Sequence, residues 1–298
     1  MSYEIRQVDI RNIEIENQLR ALIKEAFEMK DPIPPGYLYD NTFAEESSGE
    51  SIFLAAFEDE EIIGCCGFMA TDFINSGKVF TCYQAVWAAT HPRHQKKKIF
   101  INLVDEGKKI LKESGAGFLY ALAGDSSHFI FVNRLGFREI PSVMVKIPNI
   151  PLLRGTYFRT YNDKKIDFYK TATYYPVEEQ VIELKKNSGG EEVIKVQVKD
   201  SFLWGKIKTK QIKWGITLKY FYVGGLALNE IEDFKQLFDR VCGEFRIHYI
   251  QIVSCETNLY NFLLKNWRPT RMHGFIFYEL NVPPVENVNI FYGAIDVF

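Results

Sequence analysis

The chain has 298 residues, 47% of them hydrophobic and 25% charged, with a formal net charge of −2. That length exceeds the roughly 100–200 residues of one domain, so two domains, or one domain with a large appendage, are expected; the apolar fraction suits a buried core and excludes wholesale disorder. The balanced charge gives no overall electrostatic reason to expect nucleic acid as a partner. Five cysteines (Cys65, Cys66, Cys82, Cys242, Cys255) form no CxxC pair and none has a histidine at zinc-ligand spacing, so no metal site is expected. They read as buried thiols of a reducing compartment. The opening "MSYEIRQVDIR" is charged where a signal peptide needs an apolar core, and "IIGCCGFMA" is too short to cross a bilayer. A cytoplasmic location and no membrane partner are the resulting expectations.

"YEIRQV" alternates like a strand, and "IENQLRALIKEAFEM" puts Ile15, Leu19, Leu22, Ile23 and Phe27 on one helical face. "DPIPPG" stops any helix, since its prolines remove amide donors and fix φ. "SIFLAAF" and "IIGCCGFMATDF", separated by "EDEE", fit a hairpin with an acidic turn. "KVFTCYQAVWAAT" is a further long strand. From Ile99 the period becomes helical, with Phe100, Leu103, Val104, Gly107, Ile110 and Leu111 on one face until "ESGAG" ends it. "FLYALAG" is a short buried strand, "SSHFIFVNRL" a short helix and "GFREIPSVMVKI" another strand. The order β-α-β-β-β-α-β-α-β describes an α/β or α+β layered domain filling about the first half.

A weak internal repeat follows. "GITLKYFYVGGLAL" (strand), "EIEDFKQLFDRVCGEF" (helix), "HYIQIVSC" (strand), "TNLYNFLLKNW" (helix) and "HGFIFYELNV" (strand) repeat the order of Lys78 to Ile147, and "KKNSGGEEV" is the best candidate for a linker between the halves. The expected domains are residues 1–150 and 151–298.

A long strand ending in "HPRHQKKKIF", an amphipathic helix, a short strand and a helix closing on "NRLGF" resembles the GNAT N-acetyltransferases. Their pattern is a strand running into "hP-x-x-R/Q-x-x-G-x-G/A" and, some forty residues on, a helix ending in "lGF". Gln95 matches the R/Q position, Lys98 stands at the first glycine and Phe100 at the small residue; Leu135-Gly136-Phe137 matches the second motif. Some bacterial members, often linked to surface-polysaccharide genes, carry "GKGIF" in the loop and a C-terminal GNAT-like half, which "DSFLWGKI" and "FYGAIDVF" resemble. The resemblance implies a GNAT fold, a central mixed sheet flanked by helices, with a degenerate second half completing the substrate cleft. It is good over residues 1–147 and weaker beyond.

The cofactor implied is acetyl-CoA. In the family, successive backbone N–H groups at a helix N-terminus converge on its pyrophosphate, aided by the helix dipole. The positions implied are Trp87, Ala88, Ala89, Gln95, Lys96, Lys97, Lys98, Ile99 and Phe100. Glycine at position 98 would serve a positive φ or a close approach. If residue 98 is helical, lysine costs almost nothing there; if it is left-handed, lysine costs about 1–2 kcal/mol. The alternative is that "KKK" is simply a solvated face.

The implied chemistry is transfer of an acetyl group to the amine of a small molecule, with an amino sugar the class to try first. It needs a neutral amine, an oxyanion donor and a proton for the departing thiolate. By resemblance the oxyanion donor is a backbone N–H around Trp87 to Ala89. The usual tyrosine acid falls at Val132, so Tyr120, Ser126 or a water must replace it. Base candidates are Asp72, Tyr83, His91, Asp125 and His128. Each has a structural alternative: packing for Tyr83, a turn for His91, an N-cap for Asp125 and a partly exposed helix position for His128. Two other readings are a non-catalytic binding module, suggested by Lys98 and Val132, and a tandem-GNAT aminoacyl transferase using tRNA. The runs "KIKTKQIK" and "HQKKK" support the latter, against the overall acidic balance. "GGLALNEIEDF" lacks the loop pattern, so one cofactor site per chain is expected.

Overall fold

The expected hairpin at "EDEE" forms with Asp59 and Glu60 as its two turn residues, both at positive φ (49° and 66°), closed by the pair Glu58↔Glu61. Two positive-φ residues twist a hairpin in the sense its strands require. The computed structural model to which this geometry belongs describes residues 3–40, 47–150, 157, 174–187, 192–255, 270–286 and 288–291.

In chain order, β1 (Glu4–Gln7) leads to α1 (Ile13–Ala26) and a single turn, α2 (Tyr37–Asp40). Next come β2 (Ile52–Glu58), β3 (Glu61–Asn75), β4 (Lys78–Thr90), α3 (Ile99–Glu113), β5 (Phe118–Leu122), α4 (Asp125–Arg134) and β6 (Arg138–Pro148). The remainder comprises β7 (Tyr175–Pro176), α5 (Glu178–Asn187), β8 (Val193–Val198), β9 (Ser201–Gln211), β10 (Thr217–Ala227), α6 (Ile231–Glu244), β11 (Tyr249–Ser254) and β12 (Thr270–Glu279). The repeat's first three members appear as β10, α6 and β11 and its last as β12, while "TNLYNFLLKNW" and the centre of "KKNSGGEEV" lie outside the described residues.

Two compact units result, and they do not follow a single cut at residue 150. The first comprises Met1–Glu139, Glu179–Ser188 and Phe275–Val285; the second Ile140–Glu178, Gly189–Gly274 and Glu286–Phe298. Each takes a strand from the other half of the sequence. Phe275–Glu279 pairs antiparallel with β5, and β6 pairs antiparallel with β11.

In the first unit β1, β2, β3 and β4 are joined by antiparallel ladders and β5 joins β4 in parallel, giving a mixed sheet. One face packs α3 and α4 through Leu103, Val104, Leu111, Phe131 and Leu135 onto Leu54, Cys66, Phe68 and Leu119. Gly107 lets α3 approach closely, since a Cβ there would sit 2.2 Å from the Phe68 ring. Asn12 caps α1, its Oδ1 accepting from the Glu14 N–H at 2.9 Å. Leu19, Leu22 and Ile23 are buried as expected, while Phe27 stands at the C-cap and is exposed.

In the second unit, β9 pairs antiparallel with β8 and β10, and β10 pairs parallel with β11. Phe234, Leu237, Phe238 and Val241 of α6 pack on Phe221, Val223, Ile250 and Ile252.

Candidate active site

The site begins where β4 and β5 part. Their parallel ladder has two pairs, Tyr83↔Leu119 and Gln84↔Tyr120, so residues 85–90 have no β5 partner. On the other edge of β4 the register slips between Cys65↔Ala89 and Gly67↔Val86, leaving Trp87 and Ala88 as a bulge opposite Cys66. Trp87 takes a left-handed φ of 53°, its carbonyl accepts from Cys65 Sγ at 3.2 Å, and its buried ring meets Tyr37 edge-on at 6.0 Å. A bulge removes one residue from the ladder and re-aims its backbone. The expected oxyanion region therefore coincides with a bulge beside a splayed strand.

After β4, His91 caps a 3-10 turn over Pro92–His94, its Nδ1 accepting from the Arg93 N–H at 3.2 Å while Nε2 lies 3.4 Å from Glu25 Oε1. His91 thus occupies the turn role weighed for it. Gln95 closes that turn and is exposed. Lys96 (φ 66°) and Lys98 (φ 62°, ψ 14°) are both left-handed, and Lys98 is the N-cap of α3 without a side-chain capping bond. The costlier of the two conformations considered for position 98 is the one adopted. The Asn102 N–H donates to the Lys98 carbonyl at 3.0 Å, and the amides of residues 99–101 precede that bond as the helix's open donors.

Ile99 is buried against Gly64, where a Cβ would stand 2.5 Å from Ile99 Cγ2. Phe100 meets Phe131 edge-on at 5.1 Å. Lys97 turns elsewhere: its Nζ donates to His94 Nδ1 at 3.1 Å and lies 3.9 Å from Glu58. Arg93, Gln95, Lys96 and Lys98 remain exposed, and no acid occupies the first turn of α3.

Tyr83 and Tyr120 are both buried near the last rung of the ladder. Tyr83 joins the core beneath α3, its hydroxyl so near the backbone that a Cβ at Gly49 would be 2.7 Å away. Tyr120 donates to Thr71 Oγ1 at 3.3 Å and packs against Phe73, Phe118 and Phe277. Burial raises both phenols above their ordinary range.

Asp125 and Ser126 open α4, with Gly124 rather than Asp125 as its N-cap; their side chains lie outside the described residues. Val132 is half-buried against the apolar core. His128 Nε2 lies 3.1 Å from Glu139.

Asp72 is held as a structural acceptor. It receives Ser48 N–H (2.9 Å), Ser48 Oγ (2.6 Å), Gln180 Nε2 (2.8 Å) and Thr81 Oγ1 (3.1 Å). Burial opposes its ionisation, but these bonds outweigh burial and hold the carboxyl below its ordinary range. Sequence reasoning passed over Gln84: it is buried at the end of the β4–β5 ladder, and its Oε1 has no hydrogen-bond partner among the described residues. The signal was a polar residue within the apolar run "TCYQAVW".

The second unit repeats the geometry with opposite charge. β10 pairs with β11 at three positions, ending at Tyr222↔Gln251, and its register against β9 slips between Val223 and Gly225. The helix that follows opens on Glu230, Glu232 and Asp233. Asp233 is fully buried and accepts from Ser201 Oγ at 2.6 Å, and Lys199 reaches Glu230 at 3.0 Å. Such a terminus repels the anion that the first would attract.

Residues 9–140 match a family model described as an acetyltransferase (GNAT) domain. No curated protein matches the sequence. Among solved structures, Eis1 from Mycobacterium abscessus aligns with TM-score 0.62 at 13% identity, covering 94% of this chain and 74% of that one. A GCN5-related N-acetyltransferase from Anabaena variabilis gives 0.65 at 11% identity over 94% and 73% of the two chains. A putative acetyltransferase from Pyrococcus horikoshii gives 0.53 at 10% identity over 99% and 95%. At such identities the likeness is one of fold: the chain has the GNAT fold.

Proposed function

We propose, on the match of residues 9–140 to a GNAT acetyltransferase domain model, that the protein moves an acetyl group from acetyl-CoA to the amine of a small molecule, with amino sugars the first class to test. The observation that carries this reading is the bulge at Trp87 in the unpaired end of β4, followed directly by the basic, acid-free N-terminus of α3. The residues fit the cofactor. The amides of Ile99 and Phe100 precede the first intrahelical bond and are open donors, and exposed Lys96 and Lys98 would supply charge beside a phosphate. Gln95 opens the loop, while Lys97 braces it through His94 and Glu58. Acetyl-CoA, when bound, supplies the thioester carbonyl that the amine attacks.

The backbone of Trp87, Ala88 and Ala89 would steady the negative charge that develops on that carbonyl oxygen. Gln84 Oε1, with an acceptor site to spare, would orient the incoming amine. Tyr120 and Tyr83, kept protonated by burial, are the proton-holding groups at the last rung, and Asp125 and Ser126 open the neighbouring helix. The acidic start of α6 supports one cofactor site per chain. Calorimetric titration with acetyl-CoA, with ATP as a control for unspecific attraction to lysines, tests the reading. One micromolar site, unmatched by ATP and weakened at least about tenfold by Lys98→Glu, is expected; unchanged affinity in that variant sinks the loop assignment.

One observation favours a second reading, a binding module without turnover: Val132, at the position where many GNAT proteins carry a tyrosine, lies half-buried against the core. In that case acetyl-CoA binds but no amine in a panel releases free thiol above buffer.

A further inference from the structure

The hairpin β9–β10 in the second unit ends in a tip that its fold does not explain. Ile212 and Ile216 are 39% and 50% exposed, and Trp214 between them is 92% exposed. Trp214 has φ 69° and ψ 24°, and Gly215 follows at φ 73°. A turn with two positive-φ centres calls for Asn, Asp or Gly at the first of them, and a bulky residue there is strained. Indole packing does not repay the strain, because the ring stands in water. The turn itself is closed by the backbone alone, Ile212 N–H donating to the Ile216 carbonyl at 2.8 Å. A strained, exposed aromatic between two exposed isoleucines is a feature whose reason lies outside the folded chain.

The charge that the hairpin itself carries is of one sign. From Ser201 to Asn229 the sequence holds no Asp or Glu, but carries Lys206, Lys208, Lys210, Lys213 and Lys219, in a chain whose net charge is −2. Strand alternation puts Lys206, Lys208 and Lys210 on the face of β9 opposite the core, level with Tyr222, Tyr220 and Leu218 of β10. Lys208 Nζ lies 5.6 Å from the Tyr222 ring centre, and Tyr220 stacks on Tyr249 at 5.3 Å. The motif "KIKTKQIK", unused by the acetyl-transfer site, thus becomes a lysine row leading to an apolar tip.

We propose that this hairpin docks the protein on an anionic phospholipid surface, with Trp214, Ile212 and Ile216 entering the headgroup boundary and the exposed Lys210 and Lys213 lying against the lipid phosphates. The residue types decide between anionic partners. Tryptophan settles at membrane interfaces, and flanking aliphatic side chains gain from the acyl boundary. A nucleic acid would reward stacking surfaces and hydrogen-bond donors, which isoleucine does not provide. The expectation of no membrane partner rested on bilayer spans, and no described helix is long and apolar enough to cross one; peripheral docking needs none. The proposal does not depend on acetyl transfer.

The test is co-sedimentation of the full chain with vesicles of phosphatidylcholine alone or of equal parts phosphatidylcholine and phosphatidylglycerol, together with tryptophan quenching by brominated lipid. Binding to the mixed vesicles only, weakened by salt, is expected. Lys210→Gln and Lys213→Gln should each reduce partition roughly fivefold. Trp214→Asn suits the positive φ, so it should keep the melting temperature, abolish quenching and lose roughly tenfold in partition. Equal sedimentation with both vesicle types, or unchanged partition of the Trp214→Asn variant, overturns the proposal. So does retention of a single-stranded oligonucleotide by a protein that ignores vesicles.

Discussion

Lys98→Gly separates what the loop's backbone does from what its lysine does. Lys98 is left-handed, exposed and makes no capping bond, so its side chain adds strain and no local contact to the fold. Relieving a left-handed L-residue returns about 1–2 kcal/mol, and glycine's greater freedom in the unfolded chain removes about 0.5–1 kcal/mol. The balance is ~0–1.5 kcal/mol of added stability, a melting temperature unchanged or raised by up to roughly 5 °C. Lys98→Ala keeps the strain and should melt within about 1 °C of the parent. For acetyl-CoA, main-chain donors survive both changes and only an exposed charge is lost, so each should weaken binding by about fivefold or less. Scanning calorimetry and titration of the three proteins read both quantities. A Lys98→Gly protein that melts below the parent, or a Lys98→Ala protein stabilised equally, would refute the left-handed assignment and the argument built on it.

Gly107→Ala drives a methyl into the Phe68 ring, so it should destabilise by about 1–3 kcal/mol in urea unfolding, and a neutral result would mean α3 does not approach that closely. Asp72→Asn leaves donors from Ser48, Thr81 and Gln180 poorly matched and should cost about 1–3 kcal/mol at neutral pH. The folded carboxyl of Asp72 lies below its ordinary 3.8, so its stabilisation is complete above that pH and is lost as pH falls through the folded value. Acid titration of stability should therefore be shallower in Asp72→Asn below about pH 4, and parallel curves would count against the carboxylate's role. All five cysteines are buried and outside any disulfide, with Cys65 pushed up to about 12 by burial, so thiol reagents should label them only as the chain unfolds. Rapid labelling of the native protein would contradict that burial.

Where local pattern determines structure, the sequence was readable. The helical period beginning at Ile99 is the first turn of α3, and the acidic turn at Asp59 and Glu60 closes β2 onto β3. The resemblance placed an oxyanion donor around Trp87 to Ala89 but gave no bulge, because the slip at Trp87 depends on the partner strand's register, which no single strand encodes. The family resemblance placed Lys97 among the cofactor positions; its engagement with His94 and Glu58 depends on a glutamate 39 positions earlier brought near by folding. Asp72 looked like a possible base until its donors, some from 24 and 108 residues away, were in view. Gln84 was passed over because a glutamine carries no motif. Its place in an apolar run was a weak sign, and its burial and unused oxygen single it out.

The exchange of strands between the two halves bears on how the chain matures. While it is being synthesised, the N-terminal half leaves the ribosome with β5 lacking the neighbour that Phe275, Ile276 and Phe277 later supply, and all three of those residues end wholly buried. At ~5–20 residues per second that edge stays open for roughly ten seconds or more, a window in which an unpaired strand can recruit the wrong partner. A gene cut at residue 150 would make the vacancy permanent, so the excised half should aggregate. Supplying the remainder of the chain as a separate polypeptide should rescue it, because that piece carries the missing strand.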